Sequence, residues 1–147
     1  MIIPDVNLLL NAYNRDFPDH SSAKTWWEEV TNDREPIGLA WVTILGFVRI
    51  MTNPRIMQRP MTAGDALEAV ESWLNLPSTD LIEPGPRHAE ILFRLIRVVG
   101  VAGNLTTDAH LAALAIEHQA RIVSTDNDFA RFPGLRWFNP LSGRRKP

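Results

Sequence analysis

The sequence predicts an α/β fold in which a parallel β-sheet is flanked by helices. Short apolar segments alternate along the chain with longer segments of helical periodicity, an order typical of parallel sheets. The 147 residues suffice for one domain, and 45% of them are hydrophobic while 22% are charged, as in globular proteins. Ligands of such sheets bind at the carboxyl ends of the strands, so functional residues are expected at that edge.

Five short segments are predicted as strands. The first covers residues 1–5 and ends at Pro4, because proline has no N–H to donate to a neighbouring strand. The other four are residues 36–40, 80–84, 121–125 and 135–139. The first and the fourth strand run into Asp5 and Asp126, which are therefore expected at the same edge of the sheet.

The intervening segments are predicted as helices. One begins near Asn7, and the next covers residues 19–30 with Trp26 and Trp27 at helical spacing. Residues 41–51 are apolar nearly throughout and predict a buried helix that stops before Pro54. Thr62 is expected to cap a helix with one buried stripe, formed by Ala66, Leu67, Val70, Trp73 and Leu74. The last two helices cover residues 87–99 and 106–120.

The composition limits the class of protein. The absence of cysteine excludes disulfides and thiolate metal sites and fits the reducing cytoplasm. No signal peptide is expected, because Asp5 interrupts the only apolar run near the start, and no run approaches the ~18 residues that span a membrane. The net charge is −2, yet 13 of the 15 basic residues are arginine. Arginine suits phosphate contacts, although a GC-rich genome explains the same bias.

The polar side of the 87–99 helix carries Arg87, Arg94 and Arg97. Glu90 precedes Arg94 by four residues, a spacing that predicts an ion pair. This side is either a solvated face or a surface for RNA phosphates, and both interpretations stay open.

The histidines do not predict a zinc site. His110 and His118 are eight residues apart on one predicted helix. His20 and His88 are expected at the surface, so no set of three converging imidazoles is indicated.

Four aspartates form the candidate site. Asp5, Asp126 and Asp128 follow strands, and Asp108 begins the 106–120 helix. Each has a structural explanation as a helix cap or a first-turn acid. Together at one edge, however, they would repel one another unless a cation intervened. Oxygen ligands alone favour Mg²⁺ or Mn²⁺, and the expected chemistry is metal-assisted phosphoryl transfer.

At these residues the chain resembles PIN-domain ribonucleases, specifically VapC-type toxins of toxin–antitoxin pairs. The matching stretches are PDVNLLL (4–10), TNPRI (52–56), residues 104–137 and NPL (139–141). The resemblance implies a PIN-like three-layer sandwich with a five-stranded parallel sheet. It also implies a homodimer, Mg²⁺- or Mn²⁺-dependent endoribonuclease activity and a VapB-type antitoxin as partner.

The resemblance also assigns roles to residues. It implies that Asp5 and Asp108 are metal ligands, that Asp126 completes the catalytic site directly or through water, and that Asp128 is an additional acid. The domain is expected to cover residues 1–141. Residues 142–147 are expected to form a basic tail that attracts RNA weakly through Arg144, Arg145 and Lys146.

One position departs from the family pattern. A glutamate is common on the helix that here covers residues 41–51, and Gly46 stands about where it would fall. The site then binds metal more weakly, recruits another acid such as Glu83 or Glu90, or uses Thr43 through water.

Two other classes of protein place an aspartate after the first strand of a parallel sheet, and the sequence does not fit either. Haloacid-dehalogenase-type phosphatases need a second aspartate where Asn7 stands, together with an active-site lysine, and response-regulator receivers need the same lysine; Lys24 and Lys146 are not suitably placed. The remaining alternative is a catalytically decayed PIN fold that binds RNA or antitoxin.

Overall fold

The computed structural model describes residues 1–100 and 103–143, and its centre is one parallel five-stranded sheet. The strand order is β3-β2-β1-β4-β5, with every adjacent pair parallel. The predicted fold class is therefore confirmed. The strands are β1 (Ile2–Pro4), β2 (Ile37–Ala40), β3 (Thr79–Ile82), β4 (Arg121–Val123) and β5 (Trp137–Phe138).

Six α-helices connect the strands in the described residues. They are α1 (Val6–Tyr13), α2 (His20–Asn32), α3 (Trp41–Met51), α4 (Ala63–Leu74), α5 (His88–Val99) and α6 (Thr106–Glu117). The predicted cap of α4 is formed, since the backbone N–H of Asp65 donates to Thr62 Oγ1 at 3.1 Å. Helix α6 ends three residues earlier than predicted because Gln119 adopts a left-handed backbone with φ 54°.

The sheet separates two apolar cores. Ile2 and Ile3 are adjacent in β1 and point to opposite faces, as strand geometry requires. Helices α1 to α4 pack on the first face around Trp73, whose ring centroid lies 4.7 Å from that of Phe47. Helices α5 and α6 pack on the second face. Both faces of the sheet are thus covered, which leaves its edges for function.

Two of the predicted apolar surfaces are only partly buried. In α3, Trp41 and Leu45 are exposed, Leu45 by 62%, so this helix is not buried all round. In α4, Leu67 and Leu74 are exposed, and the buried stripe contains Ala69 instead. The reason is that each helix contacts the core along one side, and adjacent helical residues are turned about 100° from each other.

Two further expectations concern the basic tail and the absence of a membrane-spanning helix. Of the predicted basic tail, only Ser142 and Gly143 are among the described residues, so Arg144, Arg145 and Lys146 lie outside them. Across the described residues, no helix combines the length and the apolar character needed to cross a membrane.

Candidate acidic active site

The carboxyl ends of β1 and β4 lie side by side and carry the first part of the site. Pro4 is paired with Val123, and the backbone N–H of Asp5 donates to the Val123 carbonyl at 2.9 Å. Pro4 ends the strand, and Asp5 then caps α1 by accepting a hydrogen bond from the Val6 N–H at 2.8 Å. The carboxylate of Asp5 is consequently buried, with 6% exposure.

Ser124 is a site residue that the sequence reasoning missed. Its buried hydroxyl donates to Asp5 Oδ2 at 2.8 Å and accepts the N–H of Asp126 at 3.0 Å. This turn ends β4 two residues before the predicted boundary. A serine two residues before an aspartate at the end of a strand is the available sequence signal, because a serine hydroxyl commonly accepts the N–H two residues on.

Asp126 and Asp128 follow in a short 3₁₀-helix, Asn127–Arg131. Asp126 caps this helix, since its Oδ1 accepts the N–H of Asp128 at 2.9 Å. Phe129 is fully buried and fixes the turn to the core. The capping explanations considered for Asp5 and Asp126 are therefore correct, and they coexist with a shared position at the edge of the sheet.

Asp108 enters from the first turn of α6 and is differently placed. Its carboxyl group accepts no hydrogen bond from any residue in the described ranges. Its pKa is raised to about 6, mainly by burial and in addition by the charges of Asp5, Asp126 and Asp128. Burial also raises the pKa of Asp5, with the charge of Asp126 adding to it, although the hydrogen bonds from Ser124 and Val6 act against this. Asp108 therefore shares an electrostatic environment with all three other acids.

We name these four aspartates, Asp5, Asp108, Asp126 and Asp128, the acidic rim. Within residues 1–100 and 103–143, no three histidine, aspartate or glutamate side chains are placed so that they could hold a metal ion together. The rim fits a hard divalent cation by its chemistry, because it offers only carboxylate oxygens and that of Asp108 accepts no hydrogen bond from the described residues.

Gly46 lies beside Val6, the residue that follows Asp5 of the acidic rim. A Cβ atom built on Gly46 would lie 3.5 Å from Val6 Cγ2, an ordinary contact with the residue that follows Asp5. Thr43 is one turn earlier on the same helix and is buried. The two other acids considered as substitutes, Glu83 and Glu90, are exposed and are not among the charges that raise the pKa of Asp108.

The prediction of a surface position for His88 is wrong. Its side chain is 8% exposed, and its Nε2 lies 2.9 Å from Nδ1 of His110 across the α5–α6 contact. Burial lowers the pKa of both imidazoles. His20 is half-buried, with Nδ1 at 2.8 Å from the carbonyl of Asn11. The sequence did not predict this because the polar contact between α5 and α6 is made across distant segments.

The arginines of α5 are exposed as predicted. The ion pair predicted between Glu90 and Arg94 does not form, and Arg87, Arg94 and Arg97 have no carboxylate partner in the described part of the chain.

Comparison with known proteins identifies close relatives. The family model for the PIN domain matches residues 2–135. The chain is 46% identical over 141 residues to "Ribonuclease VapC33" of Mycobacterium tuberculosis, covering 96% of this chain and 99% of that protein. It is 44% identical over 140 residues to "Ribonuclease VapC37" of the same organism, covering 95% of this chain and 97% of the other.

Solved structures show the same fold at lower identity. The VapBC2 complex of Rickettsia felis, bound to a DNA fragment from its promoter, contains a chain that matches with a TM-score of 0.68 and 17% identity. That match covers 95% of this chain and 98% of the other. A chain of VapBC from Salmonella typhimurium, also bound to DNA, matches with a TM-score of 0.63 and 16% identity, with 95% and 97% coverage.

Proposed function

The chain belongs to the PIN domain family, and from this premise we propose that it is a VapC-type endoribonuclease toxin that cuts RNA phosphodiester bonds at the acidic rim. Two relatives named ribonucleases, at 46% and 44% identity over nearly the whole chain, support the activity. The observation that carries the proposal to particular residues is the hydrogen-bonded turn in which Ser124 joins Asp5 to Asp126 at the edge of the sheet. Asp108 accepts no hydrogen bond from the described residues, and burial together with the charges of the three other aspartates raises its pKa, an arrangement that a bound cation would relieve.

We propose that Asp5, Asp108, Asp126 and Asp128 hold Mg²⁺ or Mn²⁺. When bound, such an ion acts as a Lewis acid that makes water more acidic and offsets negative charge on the phosphate. Ser124 positions the Asp5 carboxylate, because its hydroxyl holds Oδ2 and its other hydrogen bond fixes Asp126. Asp108 accepts no hydrogen bond from the described residues, and its pKa of about 6 leaves it protonated in part of the molecules near pH 6.

We further propose the family's biological setting for this chain. A VapB-type antitoxin binds and restrains the nuclease, a proposal supported by the fold that the chain shares with chains of VapBC complexes. The toxin acts in the cytoplasm as a homodimer, with a domain over residues 1–141 and a basic tail over 142–147. The exposed apolar side chains of α3 and α5, among them Leu45 and Phe93, are available for a protein contact.

RNA cleavage with matched variants tests the activity. The wild-type protein should cut single-stranded RNA in Mg²⁺ or Mn²⁺ and stop in excess chelator. Asp5→Asn and Asp126→Asn should be inactive, whereas Asp80→Asn, which alters an exposed aspartate in edge strand β3, should cut normally. Cleavage that persists in chelator, or that survives in Asp5→Asn, contradicts the proposed site.

A growth experiment distinguishes the proposed nuclease from a catalytically decayed PIN fold that only binds RNA or antitoxin. Expressed alone in a bacterium, the wild-type chain should slow growth, and Asp5→Asn should not; co-expression of the antitoxin should restore growth. Equal toxicity of the two proteins would indicate binding or aggregation instead of catalysis. The absence of an acid from α3 is the observation that makes this comparison necessary.

A further inference from the structure

A cavity of about 590 Å³ lies between the C-terminal end of α1 and the first nine residues of α2, and no aspartate of the acidic rim lines it. Tyr13 contributes a partly exposed aromatic ring to its wall, the Trp27 ring beside it is buried, and Arg15, His20 and Lys24 contribute nitrogen donors to its edge. Its volume falls in the range of about 300–1,000 Å³ that is common for sites of small organic groups. Neither the caps nor the carboxylates of the acidic rim explain this combination.

The edge of the cavity carries an excess of positive charge. Arg15 is exposed and has no carboxylate partner in the described ranges. Lys24 lies 3.9 Å from Glu28, but both side chains are largely exposed, so this pair is weak. The neighbouring Asp16 is engaged by the guanidinium of Arg59 at 2.5 Å. In a chain of net charge −2, the cavity therefore favours an anionic ligand.

His20 adds a directional group. Its Nδ1 lies 2.8 Å from the carbonyl oxygen of Asn11, and because a carbonyl only accepts, Nδ1 must be the donor. This contact fixes the ring at the cavity and leaves Nε2 without a partner among the described residues. Nε2 can therefore accept a hydrogen bond from a base or a ribose hydroxyl.

Helix α1 connects the cavity with the acidic rim. Asp5 caps its start and Tyr13 ends it, about 12 Å away for eight helical residues, and Arg15 follows two residues beyond. At about 3.4 Å per nucleotide along a strand, the distance from Asp5 to the cavity wall at Tyr13 corresponds to roughly three or four nucleotides.

We propose that the α1–α2 cavity is a nucleotide subsite, which takes one base of the RNA strand that is cut at the acidic rim while Arg15 contacts a phosphate. The inference rests on the proposed function for the identity of the strand. Single-stranded RNA is recognised through unstacked bases held against aromatic side chains and through phosphate contacts. The cavity supplies both kinds of contact. The acidic rim supplies neither, because its four side chains are all aspartates.

Binding can be measured without cleavage in the Asp5→Asn protein. The probes are a labelled single-stranded RNA octamer of mixed sequence and the four nucleoside 5′-monophosphates. Arg15→Ala and Lys24→Ala should each weaken octamer binding about fivefold or more, and Arg15→Ala should lower the salt dependence by about one phosphate contact. Arg34→Ala removes an equally exposed arginine beyond the end of α2 and should change affinity less than twofold.

The outcomes separate this inference from the proposed function. If wild-type protein cuts RNA while Arg15→Ala and Lys24→Ala bind the octamer as Arg34→Ala does, the subsite is rejected and the cavity is left for a protein segment. If no RNA is cut but octamer binding still depends on Arg15 and Lys24, the subsite stands and the nuclease activity is rejected. Monophosphates that bind as tightly as the octamer would overturn the assignment to an RNA strand.

Discussion

Helix α6 carries one carboxylate near each end, and the pKa values of the two are shifted in opposite directions. Asp108 lies in the first turn, where the helix dipole favours negative charge by about 0.3–1 kcal/mol, yet its pKa is raised to about 6 by burial and by three neighbouring acids. Glu117 lies in the last turn, where the dipole opposes its charge. Burial acts in the same direction, yet hydrogen bonds lower its pKa overall.

Hydrogen-bond donors account for the difference. The two oxygens of Glu117 accept the backbone N–H groups of Gly85 and Arg87 at 2.7 and 2.8 Å, and His88 and His118 add favourable charge. Asp108 has no donor in the described residues and three acids as neighbours. Local partners therefore outweigh the dipole at both ends. Glu117, whose oxygens both accept hydrogen bonds, holds the loop before α5 in place. Asp108, which accepts none from the described residues, is available to a cation from solution.

The largest expected difference between the two ends is in catalysis. Asp108→Asn should lower the rate of RNA cleavage at least about 100-fold, by analogy with the loss of one charge-stabilising group from an active site. Glu117→Gln should leave the rate per folded molecule within about threefold. Single-turnover assays on both proteins check this, and similar losses in both would mean that Asp108 has no special role.

Stability should respond in the reverse order. Glu117→Ala removes two charge-assisted hydrogen bonds and leaves the N–H groups of Gly85 and Arg87 unpaired, so the free energy of unfolding should fall by about 1–3 kcal/mol. Asp108→Asn should leave it unchanged or higher in the absence of metal. Urea unfolding at pH 7 measures both values. A stability loss in Asp108→Asn equal to that in Glu117→Ala would favour a purely structural role for Asp108.

The pH dependence of stability should have opposite signs at the two ends. The pKa of Asp108 is raised from 3.8 to about 6, so the folded state binds this proton more tightly, and stability increases as the pH falls through 6 toward 4. After screening, the gain is on the order of 1–2 kcal/mol. The lowered pKa of Glu117 stabilises the fold above its ordinary value of 4.5, and this contribution is lost as the pH falls below it.

Matched variants isolate these contributions from the histidines. The free energy of unfolding of both proteins is followed from pH 8 to pH 4.5, and the difference between wild-type protein and Asp108→Asn should become smaller as the pH falls through 6. The contributions of His88 and His110 cancel in this difference because both proteins contain them. A difference that is constant over this range would show that Asp108 titrates at its ordinary pKa.

The smallest expected effect concerns the number of acids at the rim. Gly46→Glu adds a carboxylate on the side of α3 that faces Val6, and ordinary contact distance leaves room for it. More anionic ligands bind hard cations more tightly, so Mn²⁺ affinity should rise several-fold. Calorimetric titration of both proteins with Mn²⁺ provides the comparison. An unchanged affinity in a folded Gly46→Glu protein would mean that this position does not face the cation.

The sequence predicts the sheet and the acidic rim better than it predicts their partners. Asp5 and Asp126 could be located because each follows a strand, and parallel strands end at one edge. Ser124 was missed because its hydrogen bond to Asp5 joins residues that are 119 positions apart in the chain. His88 was misplaced because its partner His110 lies on another helix.

Helix faces were predicted less well than helix positions. The periodicity of α4 includes Leu67, which is 49% exposed, because periodicity gives the apolar side of a helix without showing how wide the contact is. The pKa of Asp108 was not predictable from its position in the helix either. The dipole alone indicates a lowered pKa, whereas burial and, after it, three acids from two other parts of the chain raise the pKa.

The central claim is that the unpartnered end of α6 is completed by a divalent cation. The most direct test is the pKa of the Asp108 carboxyl group, measured by carbon-13 NMR titration with and without saturating Mg²⁺. We predict a pKa of about 6 without Mg²⁺, and a pKa at least one unit lower with it, because a cation favours the charged carboxylate. A pKa that stays near 6 in saturating Mg²⁺ would contradict the claim.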